Sequence, residues 1–266
     1  MGAQLKGIDV SHWNGKIDWA KVKADGVKFA FLKAAQGSKS GRIYPDRCFA
    51  EYLKGATAAG VPVGVYLYSM ATTVDAARTE AENLVALLST SRDLITWPVA
   101  YDIEDTKTQA LETRRTLNTQ QAIAFCDVIR NAGYIPMLYT NPGWAFSYID
   151  VKAVGVDVWL ANYTGRDFGI EHTIHQHTDQ GRVNGIKTNV DMNVAYKDYG
   201  EVTRYMKRYN TLAECPLWAR PTIQKLIAHG LLRGDGTGFN LSEDMIRMLV
   251  INDRAGLYDI ATGAEK

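Results

Sequence analysis

Four stretches of the chain repeat one arrangement: KADGVKFAFLKAA, ATAAGVPVGVYLYS, IRNAGYIPMLYT and VKAVGVDVWLANY. In each, a helix-like run stops at a glycine (Gly26, Gly60, Gly133, Gly155) and an apolar run of strand length follows at once. Glycine suits the left-handed position that closes a helix. A run rich in β-branched and aromatic residues reads as a strand buried on both faces. The chain therefore uses one short helix-to-strand loop four times.

The segments ahead of these glycines fit helices over Asp18 to Asp25, Cys48 to Ala59 and Thr119 to Asn131, the last with Asn118 or Thr119 as its cap. Val74 to Leu88 is a further helix, leading through a loop containing Pro98 to a strand over Val99 to Ile103. With Gly7 to Val10 at the start, strands and helices alternate from about residue 5 to 165. Alternation of this kind means a parallel sheet. At 266 residues an irregular, TIM-like β/α barrel fits best. A doubly wound open sheet is second, since no GxGxxG or phosphate loop supports it. From about 170 two strand-like runs meet at a glycine-containing turn with no helix between, as expected of antiparallel strands finishing the barrel.

Residues 1–199 thus form the barrel, 200–212 a linker and 213–266 a small helical domain. Within the small domain a first helix runs from about Pro221 to His229, and a second starts at Ser242 with Glu243 and Asp244 in its first turn. RGDGTG between them reads as an interhelical turn. A domain this short is near the lower size limit for folding alone, so it is a candidate for self-association.

Asp102 and Glu104 in VAYDIEDT are two apart and share one face of the expected strand, roughly 6 to 7 Å from each other. In a β/α barrel functional groups gather at the C-terminal ends of strands. Two carboxylates there repel, so one keeps its proton to higher pH. A protonated acid beside an ionised one suits glycosidic cleavage. Asp105 points the other way and reads as structural. Asp9 stands at the end of the first strand and Asp191 at the end of a late one. If the barrel closes, those two meet near Asp102 and Glu104. Tyr66, Tyr68, Tyr139 and Trp159 surround the same end and can stack on or hydrogen-bond to sugar rings, with core packing the rival role for Trp159.

GIDVSHWNGKIDW, FAFLKAAQG followed by Asp46, GVYLYS, YDIED and HQHTDQGRVNGIKTNVDMN occur in this order over about residues 5 to 198. In order and spacing they resemble the family 25 glycoside hydrolases, the Chalaropsis-type lysozymes. The resemblance implies hydrolysis of the β-1,4 bond between N-acetylmuramic acid and N-acetylglucosamine in bacterial peptidoglycan. It makes Glu104 the proton donor and Asp102, Asp9 and Asp191 its companions. It implies retention of configuration, with the substrate's acetamido group or an enzyme carboxylate as nucleophile. The chain departs from the family at His175-Gln176-His177, where Trp-Gln-Tyr is common, and at Ala35-Gln36-Gly37, where Ser or Thr then Glu is common. The C-terminal domain resembles wall-binding segments of endolysins from phages of clostridia and their relatives.

Other features narrow the function. A formal net charge of +1 gives no field to recruit nucleic acid or anionic membrane, and no apolar run reaches the roughly 18 residues of a membrane span. The N-terminus lacks a signal-peptide pattern, so the expectation is synthesis in a host cytoplasm and action on the wall of a Gram-positive cell. Cys48, Cys126 and Cys215 read as buried free thiols. His172, His175 and His177 lie close together, and His175 and His177 share a strand face and could both ligate zinc, but no third ligand at good spacing stands out, so neither metal nor cofactor is implied. Met206 is a candidate start for a separate C-terminal product. The rival functions are a catalytically inactive peptidoglycan-binding protein and an amidase or peptidase on the same polymer.

Overall fold

The computed structural model describes residues 4–104, 106–107, 109, 114–200, 208–234, 236 and 238–258. Asp105 and Met206 lie outside the described residues. The chain divides into two compact units, Met1–Gly200 and Glu201–Lys266.

The first unit is a closed, mixed eight-stranded barrel. Its strands are β1 (Leu5–Val10), β2 (Phe29–Gln36), β4 (Val63–Tyr68), β5 (Ile95–Asp102), β6 (Pro136–Thr140), β7 (Asp157–Ala161), β8 (Ile174–Gly181) and β9 (Val190–Ala195). A two-residue strand, β3 (Tyr44–Pro45), pairs with the end of β2. The parallel run β1-β2-β4-β5-β6-β7-β8 is closed by β9, which pairs antiparallel with both β8 and β1. The outer layer includes α1 (Trp19–Ala24), α2 (Phe49–Ala58), α3 (Val74–Leu88), α4 (Arg115–Asn131), α5 (Pro142–Ser147) and α6 (Val151–Val154). The four repeated glycines all take positive φ, from 67° to 88°, as the loop reading requires.

Alternation along the strands separates two cores. Phe29, Phe31, Trp97, Ala100, Met137, Trp159, Ile174 and Ala195 fill the barrel interior. The larger cluster, with Leu32, Val65, Tyr101, Leu138, Leu84 and Phe125, lies between strands and helices. Inside the barrel Phe29 stacks on Trp97 at 4.0 Å and Phe31 on Trp159 at 4.5 Å. Gly7 makes room for this: a Cβ there would fall 2.1 Å from the Phe29 ring. Burial of each such ring contributes about 2 to 3 kcal/mol.

Several sequence expectations change. Pro98 lies within β5, not in a loop before it, and the β4–β5 register shifts between Val63 and Val65 to accommodate the segment. A proline cannot donate to the ladder, so a bulge is where a strand tolerates one. Helix α4 begins at Arg115, which puts Asn118 and Thr119 inside it. Buried Asn118 donates to the carbonyls of Gln109 and Tyr148, and Thr119 bonds back to the Arg115 carbonyl. They tie loops to the helix and do not cap it. Cys48 is half-buried at the start of α2, whereas Cys126 and Cys215 are buried. Among the described residues no helix is long and apolar enough to cross a membrane.

In the second unit β10 (Arg208–Tyr209) pairs antiparallel with β11 (Leu241–Ser242), beside α7 (Arg220–Ala228) and α8 (Glu243–Arg254). Ser242 caps α8 by accepting from Met245 N. Tyr209, Cys215, Ile223, Leu226, Leu241, Ile246 and Val250 form its core. Residues 208 and 209, expected in a linker, thus belong to this unit, because Tyr209 supplies a core ring.

Candidate functional site

The barrel's C-terminal mouth holds a cleft of ≈ 260 Å³ lined by Asp9, Ser11, Trp13, Lys33, Tyr66, Tyr68, Asp102, Glu104, Tyr139, Trp159, Gln176 and Asp191. All eight residues singled out as catalytic or substrate-binding from sequence therefore meet in one place. Two of them arrive differently from expectation. β5 stops at Asp102, so Glu104 stands on the loop two residues beyond it. Asp191 is near the start of β9, not the end of a strand. Because β9 runs against its neighbours, its start lies at the C-terminal ends of the others, and Asp191 sits directly opposite Asp9.

Asp9 is buried and its Oδ2 accepts from Gln176 Nε2 and Asn193 Nδ2, each at 2.8 Å. Behind these amides stand further donors. Tyr139 and Tyr163 hydroxyls donate to Gln176 Oε1 at 3.0 and 2.6 Å, and Trp159 Nε1 donates to Asn193 Oδ1 at 2.7 Å. With each amide oxygen occupied by a donor, each amide N–H must face Asp9. Burial, then the Asp191 charge, pushes the Asp9 carboxyl well above the usual range, against the opposing pull of the two amides. Burial also raises Asp191, opposed by its hydrogen bond with Asp9. The two carboxyls act as a pair.

Asp102 is buried, and its Oδ1 has no hydrogen-bond partner among the described residues. Burial first and the Glu104 charge second push it well up, while Lys33 pulls it down. Burial raises Glu104 too, and the Asn141 amide, donating at 3.3 Å, restrains it. Lys33 is half-buried over the Tyr68 ring at 5.0 Å. Burial lowers its ammonium, and Asp102 and Asp46 oppose that. A cleft with raised carboxyls and one half-buried cation is equipped to hold and deliver a proton.

The aromatics divide by depth. Trp159 is only 1% exposed, so it is the floor of the cleft, with Tyr66 and Tyr139 edge-on to it at 6.0 and 4.8 Å. This combines the packing and the cleft roles expected of it. Tyr66 and Tyr68 are half-buried.

Sequence reading passed over Gln176 and Asn193 as functional groups, and Lys33, Asn141, Tyr163 and Trp13 altogether. For two of them a signal existed. Asn193 is two residues from Asp191, and Lys33 two from Phe31, so strand alternation places each on the inward face. His172, His175 and His177 lie off the cleft in a row, with ring centroids 5.5 and 6.1 Å apart. His172 Nδ1 is bonded to the Ile170 carbonyl and His175 Nε2 to that of Asn162. Among the described residues no group of three or more His, Cys, Asp or Glu is placed to hold a metal ion.

Comparison with known proteins follows the same lines. The model for Glycosyl hydrolases family 25 matches residues 8–186. The chain is 26% identical over 190 residues to the autolytic lysozyme of Clostridium acetobutylicum, covering 71% of this chain and 55% of that protein. It is 27% identical over 225 residues to lysozyme M1 of Streptomyces globisporus, covering 79% and 72%. The modular autolysin LytC of Streptococcus pneumoniae has a similar fold, with TM-score 0.63 at 24% identity over 73% of this chain and 47% of that one.

Proposed function

The chain belongs to glycosyl hydrolases family 25, and from that premise we propose that it is an N-acetylmuramidase. It hydrolyses the β-1,4 bond between N-acetylmuramic acid and N-acetylglucosamine in peptidoglycan. As an endolysin it lyses Gram-positive cells. The observation that carries this reading is Glu104 and Asp102, both with raised carboxyls, facing Asp9 and Asp191 across one cleft. Burial favours the protonated form of Glu104, the form a general acid needs at the leaving oxygen.

In this proposal Glu104 gives its proton to the glycosidic oxygen as the bond from that oxygen to the sugar C1 breaks. The substrate's acetamido oxygen, oriented by Asp102, or an enzyme carboxylate meets the positive charge at C1. Glu104 then takes a proton from the water whose oxygen bonds to C1, as the bond between C1 and that acetamido or carboxylate oxygen breaks. The Oδ1 of Asp102, without a partner among the described residues, is suited to an incoming N–H or cationic centre. Asp9, held by two amides, and Asp191 set the field opposite.

The experiment is clearing of purified Gram-positive walls by the wild type and Glu104→Gln. Loss of a general acid costs about 10²- to 10⁴-fold. Equal clearing by both refutes the assignment. Binding of walls by both with clearing by neither favours an inactive binding protein. New reducing sugar ends in the products support a muramidase, and free peptide stems support an amidase.

The second unit is proposed as the wall-binding domain. It exposes Leu217, Trp218, Met245, Met248 and Ile251, which suits contact with a wall polymer or a second copy of itself.

A further inference from the structure

Trp13 is 77% exposed, the largest exposure of any large apolar side chain among the described residues. A single exposed apolar residue needs no explanation by itself. What sets Trp13 apart is how firmly its backbone is held. It sits in the short 3-10 turn His12–Asn14, capped from both sides by Ser11 and Asn14. Asn14 Nδ2 also donates to Thr188 Oγ1 and the Asn189 carbonyl, at 3.2 and 3.1 Å, which ties the turn to the loop before β9. The Tyr52 hydroxyl donates to the Gly15 carbonyl. The Asp46 side chain, 1% exposed, accepts from both His12 N (3.2 Å) and His12 Nδ1 (2.6 Å). The His12 ring in turn lies against Trp13, 4.5 Å between centroids. Separate segments of the barrel thus converge to fix one turn whose central ring packs into no core. Holding the turn that carries an exposed ring reduces the entropy lost when something binds to the ring.

We infer that Trp13 is a stacking platform for a hexosamine ring of the glycan strand, in a subsite away from the bond that is cut. This rests on the muramidase reading. Trp13 lines the cleft together with Asp9, Ser11, Lys33 and Asp191. Its turn is joined to β1 and to the loop before β9, whereas Glu104 and Asn141 follow β5 and β6. In the sheet order β1 and β5 are separated by β2 and β4. A strand cut at Glu104 crosses the mouth to reach Trp13. A pyranose has an apolar C–H face that matches an indole, and polar edges that match the carboxylates, hydroxyl and ammonium around it. An apolar peptide would bring no polar groups of its own to meet those charged side chains.

The test uses full-length protein and a tetrasaccharide of alternating N-acetylglucosamine and N-acetylmuramic acid. Binding is measured calorimetrically in the Glu104→Gln background, where turnover is slowed about 10²- to 10⁴-fold. Adding Trp13→Ala weakens Kd about tenfold, and Trp13→Phe weakens it less, since a smaller ring keeps some of the stacking. In the otherwise active protein Trp13→Ala raises KM by a similar factor with kcat within about twofold, as expected for binding shared by ground and transition states. Kd and KM within twofold of the parent protein overturn the platform. Failure of the Glu104→Gln protein to bind the tetrasaccharide overturns the platform and the muramidase reading together. If wild type releases peptide stems and no reducing ends, the muramidase reading falls and the Kd comparison alone decides the platform.

Discussion

Glu80 gives the sharpest quantitative prediction, because nothing in the proposed chemistry uses it. It lies on α3 with 0% exposure. Ser69 Oγ donates to it at 2.6 Å and Met70 N at 3.3 Å. Ser69 in turn bonds the Tyr101 hydroxyl and, through its N–H, the Asp102 carbonyl. A Cβ on Gly37 would fall 1.8 Å from its Oε1. Glu80 therefore braces the ends of β2, β4 and β5 from behind the cleft. Burial pushes its carboxyl from 4.5 up to about 7, against the pull of its donors. The sign follows from which state holds the proton. Below pH 4.5 both folded and unfolded chains are protonated there. Between 4.5 and 7 the unfolded chain releases the proton and the folded one keeps it, so stability falls as pH rises. The loss is about 1.4 kcal/mol per pH unit, about 3 kcal/mol by pH 7, after which it levels off. That is a large share of the 5 to 15 kcal/mol typical of a domain. The other raised carboxyls contribute in the same direction, so the measurement is a difference between proteins. Urea unfolding of wild type and Glu80→Gln, followed by tryptophan fluorescence at pH 4.5, 6 and 8, isolates the Glu80 contribution. The wild-type midpoint falls further than the mutant's, by on the order of 1 M urea. Parallel midpoints at all three pH values refute the buried-acid argument.

Gly7→Ala drives a methyl into the Phe29 ring and lowers stability by about 1 to 3 kcal/mol, readable as a drop in Tm. Asn141→Ser keeps a cap on α5 but removes the amide that lowers Glu104, so the alkaline limb of the activity profile moves to higher pH by less than about one pH unit. A shift to lower pH would contradict that sign. Gln176→Leu leaves the Tyr139 and Tyr163 hydroxyls without their acceptor and Asp9 with one donor fewer. Activity falls about tenfold or more while the fold survives, and an unchanged rate argues against any role for the amide. A fragment starting at Glu201, so that it includes the core residue Tyr209, is retained on purified walls; passage without retention ends the wall-binding proposal.

Much of the barrel was legible because its signals are local. A glycine closing each helix and an apolar run after it need only a few neighbouring residues to be read. The four acids were legible as a group because they stand at or beside strand termini that barrel closure brings to one mouth, although Glu104 lies just beyond its strand and Asp191 at the start of one. What escaped notice is held by partners far along the chain. Glu80 looks like one more polar residue on an Ala- and Glu-rich helix, and its burial depends on Gly37 and Ser69. Asn118 looks like a helix cap because Asn so often is one, yet loop carbonyls to be satisfied hold it inside. Gln176 gains meaning only from two phenols and Asp9, none adjacent to it. Pro98 argued for a loop, and only the register of β4 reveals the bulge that admits it.

The antiparallel closing strand has a consequence in time. Asp9 is bonded to Asn193, 184 residues further on. A ribosome that has made Glu104 and Asp102 has made the acid half of the cleft, but the opposing half waits for β9. Until that strand docks, Asp9 faces water with neither Asn193 nor Asp191 beside it. The growing chain carries its chemistry unassembled through most of its synthesis, and the last barrel strand to emerge completes the site.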